Sequence, residues 1–176
     1  MATLLHGIGT VNFEVYQSGL ARRLGIASIE LASVNHETVD MKGNGLLGTT
    51  TMPVLGNLES LELKLTWRVV ESDTSNMYEH RRLDLSLYAD AEHIDAGTGE
   101  MKSVQHRLEA GVVPKNWNLG KWEPSATADS EITFEVITLS YNIEGVEKLA
   151  FDKLNKIFRL NGDDKLASHR RALGLT

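Results

Sequence analysis

His36, Glu37 and Asp40 spell H-E-x-x-D, the pattern in this chain nearest to a metal-binding spacing. A zinc site built on that spacing needs a helix, so that residues four apart share a face. Thr38 and Val39 are β-branched and their surroundings read as a strand. On a strand the two end residues also share a face, but about 13 Å apart at roughly 3.3 Å per residue, too far to hold one ion. His93 and Asp95 share a strand face without a visible third ligand, and read as a solvated sheet edge. Glu131 with Glu135, or Asp84 with Asp90, would be the acid/base pairs of a glycosidase, but paired acids are common on strands. His169, Arg170 and Arg171 fall in a last helical turn, where cations complement the dipole. There is no G-x-S-x-G, no phosphate-cradling glycine loop followed by Lys-Ser/Thr and no dinucleotide fingerprint; Gly7 and Gly9 precede no helix. The expectation is a protein that is no enzyme, with no metal and no cofactor.

The elements that would position side chains are mostly strands. In LESLELKLTWRV, residues 58–69, Leu61, Leu63, Leu65, Trp67 and Val69 alternate with Ser60, Glu62, Lys64, Thr66 and Arg68, so one face belongs in a core and one in water. RRLDLSLYADAEHID at 81–95 repeats the pattern with Leu83, Leu85 and Leu87. AGTG at 96–99 is a tight turn, and 100–113 returns antiparallel. SEITFEVITLSYNIEG at 130–145 alternates Ile132, Phe134 and Val136, then changes phase to Leu139, Tyr141 and Ile143, so a bulge is expected at Val136 and Ile137. Residues 26–34 read as a first long strand with a bulge, continuing to 41, and 147–160 as one more strand. The first two dozen residues read as an irregular arm with one short strand.

Ser72, Asp73 and Thr74 cap a short central helix anchored by Met77 and Tyr78. A terminal helix starts at Gly162 and Asp163, carries Leu166, Ala167, Arg170 and Leu173 at helical spacing, and ends at Gly174. Residues 43–57 and 114–128 read as long loops. The apolar residues of the first, Leu46, Leu47, Met52, Val54 and Leu55, are expected to bury against the chain's own sheet or a neighbouring subunit. The fold class is mostly β with a minor α part: an antiparallel β-sandwich or barrel, one domain over 1–176.

Composition agrees with a folded chain: 176 residues, 41% hydrophobic and 24% charged. The absence of cysteine excludes disulfides and thiolate metal sites. MATLLHGIGT lacks the basic start and sustained apolar run of a leader, and no later stretch reaches the length of a membrane span, so folding in the cytoplasm without a membrane anchor is expected. Twenty-four acids against 18 bases give a net charge of −6, which argues weakly against a surface that grips nucleic acid and suits one that lets it pass.

IDAGTGEMK at 94–102 and FEVITLSYNIEGVEKLAFDKLNKIFRLNGDDKLASHRRALGL at 134–175 resemble the C-terminal half of the major tail tube proteins of contractile-tailed bacteriophages. The most specific stretch is the ending, where Asp164, Leu166, His169, Arg170, Arg171, Gly174 and Leu175 match the family's Asp-Xaa-Leu-Xaa-Xaa-His-Arg-Arg-Xaa-Xaa-Gly-Leu pattern. The chain departs from the family around 103–125, which is longer here. The resemblance implies subunits that assemble into hexameric rings stacked as a tube, with inner strands of neighbours joined in one sheet around the lumen. It implies as partners a tail sheath protein, a tape-measure protein and a baseplate that initiates the tube. DNA passes through without specific binding, and the place of the protein is the tail of a virion assembled in a host bacterium. A headless contractile bacteriocin or injection particle is the alternative, and a monomeric β-barrel ligand-binding module the rival from another class.

On that resemblance, Gly43, Asn44, Gly45, Leu46, Leu47 and Met52 form an assembly loop at the subunit or ring interface. Glu62, Lys64, Thr66, Glu131, Thr133 and Glu135 are candidates for the lumen face, and Arg170 and Arg171 for contact with the sheath or a neighbour.

Overall fold

Leu61, Leu63, Leu65 and Trp67 are all buried in the computed structural model of the chain, which describes residues 5–17, 24–43, 45, 47–70 and 72–175. The alternation that buries them stops there, and Val69 is 64% exposed because the strand ends at Trp67. The element order is β1 (Leu5–Gln17), β2 (Ser28–Glu30), β3 (His36–Met41), β4 (Thr50–Leu58), β5 (Glu62–Trp67), α1 (Ser72–Asn76), β6 (Leu83–Asp95), β7 (Met101–Asn118), β8 (Ser130–Ile143), β9 (Val146–Asp152), β10 (Ile157–Leu160), β11 (Asp163–Asp164) and α2 (Ala167–Ala172).

One antiparallel sheet runs in the order β1-β6-β7-β8-β9-β10-β11, with β5 paired to β8 and β2 to β5; β3 and β4 form a separate hairpin. Strand β8 serves two neighbours in turn. Its first half, Ser130–Glu135, pairs with β5, and its second half, from Thr138, with β9, while β7 lies along its other side. Between the halves Val136 faces Val112 and Thr138 faces Gly111, so Ile137 is the extra residue of a bulge at the expected step. The bulge changes which side chains point inward. Ile132, Phe134 and Val136 are fully buried before it and Leu139 is buried after it. The sheet thereby folds into two layers whose apolar faces share one core, from Leu63, Leu65 and Phe134 to Leu85, Val112 and Phe151.

The N-terminal stretch is not an irregular arm: β1 is 13 residues long and pairs along β6. Its glycines are absorbed where the register shifts between Gly7 and Gly9, and the alternation of Phe13 and Val15 against Asn12, Glu14 and Tyr16 carries the rest. The stretch 26–41 is two short strands in different sheets, not one long strand. Residues 50–57, read as part of a long loop, form β4 together with Leu58, and Pro53 pairs with Thr38 at the open hairpin. Strand β7 continues through Pro114 to Asn118; pairing with β6 stops at Val112, and proline is tolerated on an open edge. The stretch 147–160 is two strands, because the Asp152 carboxylate accepts the Leu154 and Asn155 N–H groups, each at 2.9 Å, and turns the chain.

Helix α1 forms as expected, with Met77 buried behind it and Tyr78 tilted against Trp117 at 5.6 Å between ring centroids. Helix α2 begins at Ala167, later than its glycine and aspartate suggested, because Asp163 and Asp164 pair with β10. Leu166 is buried against Gly56, whose φ of +94° and lack of a Cβ admit it; a Cβ there would lie 2.9 Å from the leucine. The Asp164 carboxylate pairs with Arg170 and accepts the Leu166 N–H at 3.0 Å. Arg170, then the Leu166 N–H, hold that carboxyl below the usual aspartate range.

Leu65→Ala is expected to lower the unfolding free energy by about 2–5 kcal/mol, and Val69→Ala by less than about 0.5 kcal/mol, in urea titrations of the subunit. Because the folded Asp164 carboxyl titrates lower than the unfolded one, its contribution is complete above the unfolded value and disappears as pH falls through the folded value. The protection factors of the amides at residues 166–173, the ratio of intrinsic to observed exchange rate, are therefore expected to fall on acidification, and Asp164→Asn to show the lowered protection already at neutral pH.

Candidate functional site

Glu62, Lys64 and Thr66 stand directly opposite Glu135, Thr133 and Glu131, so the six expected lumen residues share one face of β5 and β8. Like charges directly opposed across strands repel. The Glu62 and Glu135 pair is relieved by a lysine on each: Lys115 lies 2.5 Å from Glu62 and Lys153 2.7 Å from Glu135. Lys64 pairs with Glu30 of β2 at 3.0 Å. Glu135 also accepts the Ser60 hydroxyl at 2.5 Å and the Leu61 N–H at 3.3 Å. Burial acts to raise the Glu135 carboxyl, but Lys153, Ser60 and the Leu61 N–H together hold it below the usual range. This face is a half-buried ladder of ion pairs, with Thr133 buried.

A second polar face lies on the other layer and was not singled out in the sequence. Cross-strand register places its residues in rows: Asp84, Gly111, Thr138 and Asp152; then Tyr16, Ser86, Glu109, Ser140, Ala150 and Arg159; then Glu14, Tyr88, Arg107, Asn142 and Glu147; then Asn12, Asp90 and Gln105; then Gly9, Glu92 and Ser103. The opposite side of the same strands carries Val15, Leu87 and Leu108 and turns to the core. Arg82 reaches across the first row to the Thr138 hydroxyl and to Asp84, 3.1 Å each. A Cβ at Gly111 would come within 2.6 Å of the Arg82 Nη2, so glycine leaves the groove in which the guanidinium lies. Arg107 pairs with Glu109 and sits 5.5 Å above the Tyr88 ring. Arg159 makes a two-pronged pair with Glu147 at 3.0 and 2.8 Å. The signal was present in TVNFEVYQ, whose alternation was outweighed by the nearby glycines.

The edge of this layer is long. β1 has no strand partner on its outer side among the described residues, where one hydrogen bond, from the Leu24 N–H to the Val15 carbonyl at 3.2 Å, is made.

The β3–β4 hairpin leaves its apolar residues uncovered: Leu47 is fully exposed, and Val39, Met41, Met52 and Leu55 are about half exposed. Of the expected assembly-loop residues, Gly43, Gly45 and Leu47 connect the two strands, Met52 lies on β4, and Asn44 and Leu46 fall outside the described residues. Leu47, Met52 and Leu55 thus do not bury against the chain's own sheet, whereas Val54 is half-buried and Leu58, at the root, packs against the core. Arg170 is tied to Asp164 and to the Lys156 carbonyl at 2.9 Å, whereas Arg171 is exposed beside it.

His36, Glu37 and Asp40 engage separate partners: His36 meets the Phe158 ring edge-on, Glu37 accepts Asn57, and Asp40 accepts the Thr51 hydroxyl at 2.7 Å. His93 is not at a sheet edge, since β6 is flanked by β1 and β7; its ring stacks on that of His106 at 6.4 Å. Asp95 turns away to accept the Gly97 N–H at 2.8 Å and Lys102 at 3.3 Å, contacts that hold its carboxyl low, the Gly97 bond foremost. Among the described residues no three His, Asp or Glu side chains converge on a metal position.

A sequence comparison with curated proteins gives no match. Among solved structures the chain is similar to a chain in the extracellular contractile injection system PVC, sheath/tube terminator in extended state: 14% identity and a TM-score of 0.54, over 78% of this chain and 97% of that one. It is also similar to a chain of the PVC sheath-tube complex in extended state, with 13% identity and a TM-score of 0.50, over 74% of this chain and 87% of that one. At these identities the likeness speaks for the fold. The family model of phage tail tube protein FII matches residues 10–174, nearly the whole chain, and the protein belongs to that family.

Proposed function

We propose that this chain is the structural subunit of the inner tube of a contractile tail, joining copies of itself into hexameric rings that stack around a channel for genome delivery. The observation that carries this reading is the 13-residue edge of β1, which has no strand partner among the described residues, on a layer that is polar on one face and apolar on the other. An open edge of that length invites another chain, and closing sheets into a ring through neighbours removes it.

Two polar faces compete for the channel wall. The layer bearing Glu62 and Lys64 ends in β2, three residues long, which covers only half of the six-residue β5 beside it and gives a ring little to pair with. The layer of β1, β6, β7 and β8 has strands of 13 to 18 residues. The rows running through Tyr88 and Asp90 therefore line the channel. In a two-layer subunit the face of the other layer then looks outward, so the Glu62 ladder, with Arg171, faces the sheath. The apolar hairpin supplies the contact between successive rings, Leu47 foremost. A tape-measure protein occupies the channel before DNA does, and a baseplate starts the tube, which places the protein in the tail of a virion.

Leu47→Asp is expected to abolish tubes in negative-stain images while shifting the subunit's unfolding free energy by less than about 0.5 kcal/mol, since the side chain is fully exposed in the subunit. Tubes of normal length from that variant would remove the hairpin from the ring contact. Because the chain has no cysteine, Glu92→Cys and Glu131→Cys report the two faces cleanly. With a bulky maleimide polymer, the Glu92→Cys protein is expected to react about tenfold more slowly in tubes than as free subunit, and the Glu131→Cys protein at similar rates in both, access being what sets the difference.

A further inference from the structure

We propose that Glu109 masks Arg107: it holds the guanidinium down on the Tyr88 ring, so that the channel wall offers a passing polyanion no free cationic fork. The mask rests on the assignment of this face to the channel. Arg82, Arg107 and Arg159 all lie on the face, and each is engaged by an acid of the same face. For Arg82 and Arg107 the acid stands two residues further along the chain, Asp84 and Glu109, the separation that puts two side chains on the same side of a strand.

Arg107 is the critical member, because it lies mid-sheet, opposite Tyr88 on one side and Asn142 on the other, with a side chain 44% exposed. A free arginine is the side chain best shaped to grip a phosphate, through two parallel hydrogen bonds from a planar fork. Repeated around every ring, such a fork would make a cationic collar, and phosphate contacts accumulate steeply in affinity at low salt. Here one carboxylate oxygen of Glu109 takes the Nη2 prong of the fork, and the guanidinium carbon lies 5.5 Å from the centre of the Tyr88 ring. An exposed pair of this kind adds little to stability, so its place on the wall is explained better by what it hides than by what it holds together.

The test is co-sedimentation of a short fluorescent single-stranded oligonucleotide with assembled tubes, comparing the wild type with Glu109→Gln, Arg107→Gln/Glu109→Gln and Glu92→Gln. The last variant makes the same charge change two rows away from Arg107 and controls for net charge. Glu109→Gln is expected to retain about tenfold more oligonucleotide than the wild type at low salt and to lose the gain by about 0.3 M salt. The double variant is expected to return to the wild-type level, and Glu92→Gln to stay near it. Equal gains from Glu109→Gln and Glu92→Gln would reduce the effect to net charge and overturn the mask, as would no gain from Glu109→Gln. If that variant forms no tubes, fluorescence anisotropy with the free subunits, where the same face is open, decides by the same comparison. Full reactivity of the Glu92→Cys protein in tubes, with the Glu109→Gln gain intact on subunits, would overturn the channel assignment and leave the mask as a property of the face.

Discussion

The extra residue at Ile137 is the constraint on which this structure depends. A strand has period two, so one inserted residue exchanges its inner and outer faces. Without it, the apolar set that begins at Ile132 would continue in phase through Thr138 and Ser140, and the polar row residues would point into the core. With it, β8 gives Phe134 to one layer and Leu139 to the other, and both reach the same core. Gly111 stands opposite Thr138 on β7, beside the bulge, and its missing side chain admits Arg82. The bend therefore sets the two-layer fold and one of the polar contacts on the face of β6 and β7 together.

Much of this was legible because burial leaves an alternating trace. The strands around Leu63, Leu85 and Phe134, the bulge at Val136 and Ile137, the 96–99 turn and the short central helix were all readable from pattern alone. Elements whose partners dominate their own preference were not. β1 is held by β6 despite its glycines, and β4 by β3 despite Pro53, so local propensity spoke against both. The split of 147–160 turned on the Asp152 carboxylate, a single side chain to backbone contact that periodicity does not register. At the candidate site, the sequence could supply two-faced strands but not which polar faces adjoin. That Glu62 opposes Glu135, and that Tyr88 lies between Glu14 and Arg107, are facts of register between segments far apart in the chain.

The net charge of −6 understates how charge is arranged. Both polar faces are mosaics in which cations are assigned to particular acids. On the face of β5 the lysines offset the repulsion between Glu62 and Glu135, a task internal to the subunit. On the face of β6 and β7 the arginines sit flat, in pairs made largely along one strand, and the acids Asp90 and Glu92 lie in the rows beyond them. Screening in salt shortens the reach of such charges to roughly 8–10 Å, so a polymer near either face meets local pairs and not the total. Local pairing is thus the scale on which adhesion is set.

The β3–β4 hairpin presents the opposite problem from the core. A two-stranded ribbon is marginal in water on its own, and this one exposes Val39, Met41, Met52 and Leu55 as well as Leu47. Its anchorage to the rest of the chain is at its root, where Leu58 and Gly56 meet the core and Leu166, with His36 against Phe158. Stability is then graded along the hairpin, firm at the root and dependent at the tip on whatever covers the apolar residues. A subunit built in this way loses little by carrying an unsatisfied tip while alone, and gains apolar burial at roughly 25 cal/mol per Å² when a neighbour arrives. With the hairpin as the proposed contact between rings, growth of a tube and completion of the hairpin become one event, so that the contact forms only where a ring is already present to receive it.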